Sequence, residues 1–372
     1  MKSVIYFPWN NFTKTNGLLD YQEYFDFDLG TWQFMDGVSL ARFGEDTSIL
    51  KIHNDKDLTS GPEINGLSDK FDAITDKRSI ELLSLVNNFN KKLAIFWSGG
   101  IDATVMLSAI IKNWPKQDWE KVVVFLNDYS LLENPTFFHN FIRSKFQCQF
   151  FKDYASYPDI KQYIITDGLL ADRLWKPMLV TDYALAYGDD SCANYWVDEQ
   201  NNFINFLVEI RKIRKESANN IVARINTNLS SVNVPLKTVN DVFRWVNYNL
   251  MWQQTYLCKY TAMFSDHNLS SLVDYKNFYV PWYSSLDYEK WAWSDDMFYE
   301  LNRRNYKQEK YFAKKYIFDI SKDVFFLKFQ TKLASLMHTA YDSNYVIFAD
   351  GTILKSTEQN YETLFKTYML GQ

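Results

Sequence analysis

The apolar positions of this chain fall in short blocks whose spacing changes along its length. Ile80, Leu82, Leu83, Leu85 and Val86 recur at helical spacing, predicting a helix that Thr75 or Asp76 can cap. Leu93-Ala94-Ile95-Phe96-Trp97 is a short apolar run of strand type, closed by the tight turn Ser98-Gly99-Gly100. Asp102 to Asn113 then reads as a helix, with Val105, Leu107, Ala109, Ile110 and Ile111 apolar and Pro115 beyond its end. Val122 to Leu126 is a β-branched run of the kind that fills a doubly covered sheet. A helix is expected from Pro135 to Phe146, with proline at its start where the missing N–H does no harm. Further strands are expected at Gln149-Phe150-Phe151 and at Tyr163-Ile164-Ile165, the latter ending in Thr166-Asp167-Gly168.

Strands alternating with helices predict an α/β fold with a parallel sheet and right-handed crossovers. After Tyr195 the texture becomes helical and rich in aromatics, with Phe203–Lys215, Val239–Phe264 and Asp287–Lys315 as expected helical stretches. Tyr345 to Phe348 and Thr352 to Leu354 flank Asp350-Gly351 as a hairpin. The first seventy-odd residues carry only short apolar runs, such as Val4–Phe7 and Ile49–Ile52. The expected organisation is a small, β-rich region over 1–75, an α/β core over 76–195, a helical part over 196–340 and a hairpin with tail over 341–372.

Composition narrows the classes. The 372 residues are 47% hydrophobic and 23% charged, an ordinary globular balance. No run of eighteen apolar residues occurs, and the apolar run before Pro8 is too short for a signal peptide, so a cytoplasmic protein without membrane partners is expected. Cys148, Cys192 and Cys258 are too scattered for a disulfide framework or a zinc site, and read as buried thiols. A net charge of −5 argues against a broad nucleic-acid footprint. His53, His139, His267 and His338 form no metal-ligand spacing or triad pattern.

The chemistry concentrates at Ser98-Gly99-Gly100-Ile101-Asp102-Ala103-Thr104, between a strand and a helix. Backbone N–H groups and the positive end of the helix make such a junction an anion site. The two glycines let the backbone approach a phosphate chain and adopt positive φ, and the Ser98 and Thr104 hydroxyls can donate to phosphate oxygens. Asp102 would repel a bare phosphate. A bridging Mg²⁺ resolves the conflict, since carboxylate and phosphate oxygens are the hard ligands it takes. The segment therefore predicts binding of Mg²⁺-pyrophosphate. It is not a Walker A loop, because no Gly-Lys-Ser/Thr follows.

Ser98, Gly99, Gly100 and Asp102 resemble the Ser-Gly-Gly-x-Asp-Ser signature of the PP-loop (N-type) ATP pyrophosphatases, with Ala103 in place of the usual serine. The resemblance implies a parallel-sheet core of the adenine nucleotide alpha hydrolase type, with ATP and Mg²⁺ as cofactors. Gly168, Ala171, Asp172 and Leu174 resemble the asparagine synthetase motif Ser-Gly-Glu-Gly-Ala-Asp-Glu-Leu-Phe. Asp167, Leu170 and Arg173 depart from it. Carried over, Asp172 opposes Asp102 across the metal. Val280-Pro281-Trp282-Tyr283 with Leu286-Asp287 is similar to that family's Pro-Phe-Leu-Asp stretch. Tyr306-Lys307-Gln308 with Tyr311-Phe312 is similar to its Lys-x-x-Leu-Arg stretch, and Lys328 to Lys332 to its Arg-x-Lys-x-x-Phe stretch. In asparagine synthetases and β-lactam synthetases a lysine of the last stretch stabilises charge on the adenylate. Lys332 is the best match and Lys328 the alternative.

The resemblance, spanning roughly Lys91 to Leu336, implies an adenylating ligase. Such an enzyme splits ATP to AMP and pyrophosphate to activate a carboxylate or amide oxygen for attack by ammonia or an amine. The glutaminase domain of the usual asparagine synthetase opens on a cysteine at position two, where this chain has Lys2. The expected partners are accordingly a small-molecule substrate and a nitrogen source, which is free ammonia, an amine donor or a separate glutaminase. Two other readings stand beside this one. The same ATP chemistry could serve a nucleobase in tRNA or DNA, or the altered positions Ala103, Leu170 and Arg173 could leave a non-catalytic nucleotide-binding protein.

Overall fold

The fold is described from a computed structural model, over residues 4–6, 25–28, 33–35, 68–150, 162–175, 178–211, 213, 215–230, 236–250, 252, 278–294, 310–329, 345–348 and 353–355, with positions 363 and 367. Along the chain come three short strands, β1 (Val4–Tyr6), β2 (Phe25–Asp28) and β3 (Gln33–Met35). The α/β run follows: α1 (Phe71–Phe89), β4 (Lys92–Phe96), α2 (Ile101–Asn113), β5 (Val122–Leu126), α3 (Asp128–Glu133), α4 (Pro135–Phe137), β6 (Gln147–Phe150), β7 (Tyr163–Thr166) and α5 (Ala171–Leu174). Then come α6 (Met178–Tyr187), α7 (Trp196–Asn205), α8 (Lys215–Ser230), α9 (Val239–Trp245), α10 (Leu286–Trp293), α11 (Tyr311–Ser321), α12 (Val324–Lys328), β8 (Tyr345–Phe348) and β9 (Ile353–Lys355).

The chain separates into two compact units, each built from segments distant in sequence. One comprises 1–62, 176–273 and 342–372; the other comprises 63–175 and 274–341. The sequence reading instead divided the chain into consecutive blocks ending at 75, 195 and 340. Hydrophobic patterning delimits elements, whereas contact between remote segments decides which elements share a core.

In the second unit, β4 to β7 form an all-parallel sheet of order β6-β5-β4-β7. The reason lies in the sequence: β5 is buried along its whole length and β4 from its second residue on, so both need cover on two faces. The chain starts in the middle at β4, moves outward through β5 to β6, and returns to β7 on the other side. A further extended segment adds on beyond β7. The Ile165 N–H donates to the Phe278 carbonyl (2.6 Å), Val280 N–H to Ile165 (2.8 Å) and Trp282 N–H to Asp167 (3.1 Å). Among the described residues, the sequence-based strands match to within two positions.

Two helices of the α/β run differ from expectation. α1 begins at Phe71 rather than at Thr75 or Asp76, because Phe71 and Ile74 extend its apolar face one turn earlier. Phe71 packs against Trp175, Trp291 and Phe312, with ring centroids at 4.8–5.6 Å. Thr75 and Asp76 are therefore inside the helix, bonded to Tyr288 and to Lys112, Asn113 and Tyr316. The helix expected over Pro135–Phe146 begins at Pro135 as α4 and continues as a π-turn over Phe138–Ile142.

In the first unit, α6 to α9 enclose an apolar cluster that includes Tyr183, Phe203, Phe206 and Phe243. Its one buried carboxylate in α7, Glu199, accepts hydrogen bonds from Tyr183, Asn194 and Asn202 at 2.7–2.9 Å. β8 and β9 pair antiparallel, as expected of a hairpin, and β1 adds to β8. No helix among the described residues is long and apolar enough to cross a membrane.

Candidate active site

In open parallel sheets, ligands bind beyond the carboxyl ends of the strands, at the point where strand order reverses. Here that point lies between β4 and β7, because connections leave β4 toward β5 on one side while the returning chain lands on the other. Ser98-Gly99-Gly100 follows β4 and Gly168 follows β7, so the two segments singled out by sequence meet at this crevice.

Gly99 has φ +79, where a side chain is strained, and a Cβ there would lie 2.6 Å from the Ser130 carbonyl oxygen and 2.8 Å from Glu133 Cβ. Glycine is thus required both by the turn and by the packing of α3 behind it. Gly100 is the N-cap of α2 and has no side chain to satisfy the first turn. The earliest intrahelical donor is Thr104 N–H, to the Gly100 carbonyl (3.0 Å). The first turn of a helix presents its N–H groups outward, which suits an anion.

Gly168 is needed for a different reason. A Cβ on it would meet Asp102 Cβ at 2.8 Å and the Ala103 nitrogen at 3.2 Å, so the backbone after β7 lies directly against the start of α2. Asp102 is half-buried there. Its backbone carbonyl accepts the Tyr283 hydroxyl (3.0 Å), and its carboxylate accepts Lys310 Nζ (2.7 Å). Asp172, in the first turn of α5, accepts the same ammonium through Oδ1 (2.8 Å). Burial disfavours a charged amine, but the Asp102 and Asp172 carboxylates outweigh it and push the Lys310 pKa above its ordinary value. Tyr283 keeps its proton, since burial, the Asp102 carboxylate and other nearby acidic groups raise its pKa well above the ordinary value.

The other residues named from sequence fall as follows. Ser98 is half-buried, its Oγ accepting from Gly100 N–H (3.3 Å). Ile101 and Ala103 are buried and contribute backbone alone. Thr104 is fully buried: its hydroxyl donates to the Gly100 carbonyl (2.7 Å) and accepts from Trp97 Nε1 (3.1 Å). The hydroxyl proton expected at a phosphate is thus spent inside the helix, the usual fate of threonine bonding back one turn. Asp167 is buried and accepts from the Tyr279 hydroxyl and Leu169 N–H, holding the turn after β7.

Lys332 lies outside the described residues. Lys328 is exposed at the end of α12. The lysine at the two carboxylates is Lys310, which the sequence reading passed over. No spacing in the sequence singles it out, since Lys310 stands among Lys307, Lys314 and Lys315.

The donors present suit a hard divalent cation. Two carboxylates from different strand ends converge on one cationic group, and the oxygen ligands that Mg²⁺ still needs are those of phosphate and water. Among the described residues no group of three or more histidine, cysteine or acidic side chains is placed to hold a metal ion. Comparison of the chain with models of known protein families, with curated proteins and with solved structures finds no match.

Proposed function

We propose that this chain is an adenylating enzyme of PP-loop type, which cleaves ATP to AMP and pyrophosphate to activate a carboxylate or amide oxygen for an amine or ammonia. The observation that carries this reading is the convergence of Asp102 and Asp172, one after β4 and one after β7, on Lys310 Nζ beside a glycine-built helix start. The α2 N-terminus receives the terminal phosphates through backbone N–H groups, and Gly99 keeps that surface free of a side chain. Bound Mg²⁺ would draw charge from the pyrophosphate, making it a better leaving group. Asp102 and Asp172 are the side chains that would hold it. Lys310 supplies an ammonium next to the reacting phosphates, where negative charge grows during displacement. Much of the rate then comes from positioning two substrates over the strand ends.

The test is product analysis from Mg·ATP with aspartate and ammonia, then with a wider pool of carboxylates and amines. AMP and pyrophosphate, absent with Asp102→Asn, are the expected result, and the stimulating compound names the substrate. Release of ADP and phosphate would overturn the proposed cleavage position.

A further inference from the structure

We infer that Lys310 acts as an internal cation that occupies the metal position of this site and makes metal binding conditional on the nucleotide. The inference rests on the proposed Mg·ATP site and concerns how that site is loaded.

The geometry behind it is local. Lys310 Nζ lies 2.7 Å from Asp102 Oδ2 and 2.8 Å from Asp172 Oδ1, contact distances that leave no room for a second cation between the same two oxygens. An ammonium and a divalent ion therefore compete for one place. Lys310 is anchored, being the residue that precedes α11, and α11 packs along α2. Its side chain is about four-fifths covered, while Asp172 is 62% exposed. One carboxylate is thus held firmly by the lysine and the other stands toward solvent.

The charges show what the lysine does. Two carboxylates alone would repel each other and attract any free divalent ion. Lys310 between them offsets one of the two negative charges, and a bare metal ion must displace a well-seated ammonium to bind. A nucleotide changes the balance: its phosphates bring oxygen ligands for the metal and a new anionic partner for the displaced ammonium. Lys310 then moves from carboxylate to phosphate without ever losing a counter-charge. The metal enters with ATP, and until then the ammonium screens the two carboxylates from each other.

Mn²⁺ binding to the full chain, followed by electron paramagnetic resonance without nucleotide, tests this. Wild-type protein should bind Mn²⁺ weakly. Lys310→Gln should bind it at least about tenfold more tightly, since the ammonium that bridges the two carboxylates is gone. Added ethylammonium should compete Mn²⁺ off Lys310→Gln and leave wild type unaffected. Equal Mn²⁺ affinity in the two proteins would overturn the role of Lys310 while leaving the metal site standing. No Mn²⁺ binding to either protein, even with a non-hydrolysable ATP analogue, would overturn the site itself. Should Lys310→Gln fail to fold, thermal melting of wild type decides. Mn²⁺ alone should leave Tm unchanged and Mn²⁺ with the analogue should raise it; an equal rise with Mn²⁺ alone would sink the inference.

Discussion

The Tyr283 hydroxyl donates to the backbone carbonyl of Asp102 at 3.0 Å, across 181 positions of chain. This bond links the extended segment beside β7 to the start of α2, and so fixes the height at which the Asp102 carboxylate stands. Tyr283→Phe removes the donor and leaves a carbonyl in a partly buried place. The expected cost is about 1 kcal/mol of stability, read by urea denaturation. A weaker affinity for a Mg·ATP analogue should accompany it. Unchanged affinity would show that Asp102 is held adequately by other contacts.

Gly168→Ala should damage the site more than the fold. The added Cβ would sit 2.8 Å from Asp102 Cβ and 3.2 Å from the Ala103 nitrogen, so the start of α2 or the turn after β7 must shift. Overpacking of this kind costs about 1–3 kcal/mol. Calorimetric titration with a non-hydrolysable ATP analogue is expected to show at least a tenfold loss of affinity, with cooperative thermal unfolding retained.

Arg78 is a third point of control. It is buried in α1 and donates to the carbonyls of Trp282 and Pro281, both at 2.9 Å, and to Glu81 (3.1 Å). These bonds shape the turn that carries Tyr283. Arg78→Lys keeps the charge but loses the planar fork that serves two carbonyls at once. A loss of about 2–3 kcal/mol in urea denaturation is expected, because buried acceptors are left unpaired. A change within 0.5 kcal/mol (the ordinary range for neutral surface substitutions) would contradict the account.

Asp76 gives a pH-dependent test away from the site. Burial alone would raise its pKa, but hydrogen bonds from Lys112, Tyr316 and Asn113 prevail and hold it below the ordinary 3.8. A carboxyl depressed in the folded state stabilises the protein above its unfolded pKa, and that contribution is lost as pH falls through the lower folded value. Wild type should therefore exceed Asp76→Asn in stability at neutral pH, and the gap should close as pH drops below about 3.8. A gap that persists undiminished at low pH would mean that the charge contributes nothing.

Much of the fold was legible because it is written locally. The β-branched run Val122–Leu126 and the spacing from Asp102 to Asn113 specify a strand and a helix from neighbours in sequence alone. Ser98-Gly99-Gly100 and Gly168 were legible too, since few residues besides glycine accept the backbone conformation of Gly99 or the close approach at Gly168. Thr104 was misjudged because a hydroxyl looks available until the helix offers it a carbonyl four residues back.

What the sequence by itself determined is therefore the alternation of strands and helices from α1 to β7, the parallel α/β core and the loop where the chemistry is proposed to sit. Tertiary structure alone decided which remote side chains meet there. Lys310 reaches Asp102 across 208 positions, and Arg78 reaches Trp282 across 204. Such contacts leave no periodicity in the chain. A lysine that bridges two carboxylates and one that faces water are the same letter, and only the packing of α11 beside α2 distinguishes them.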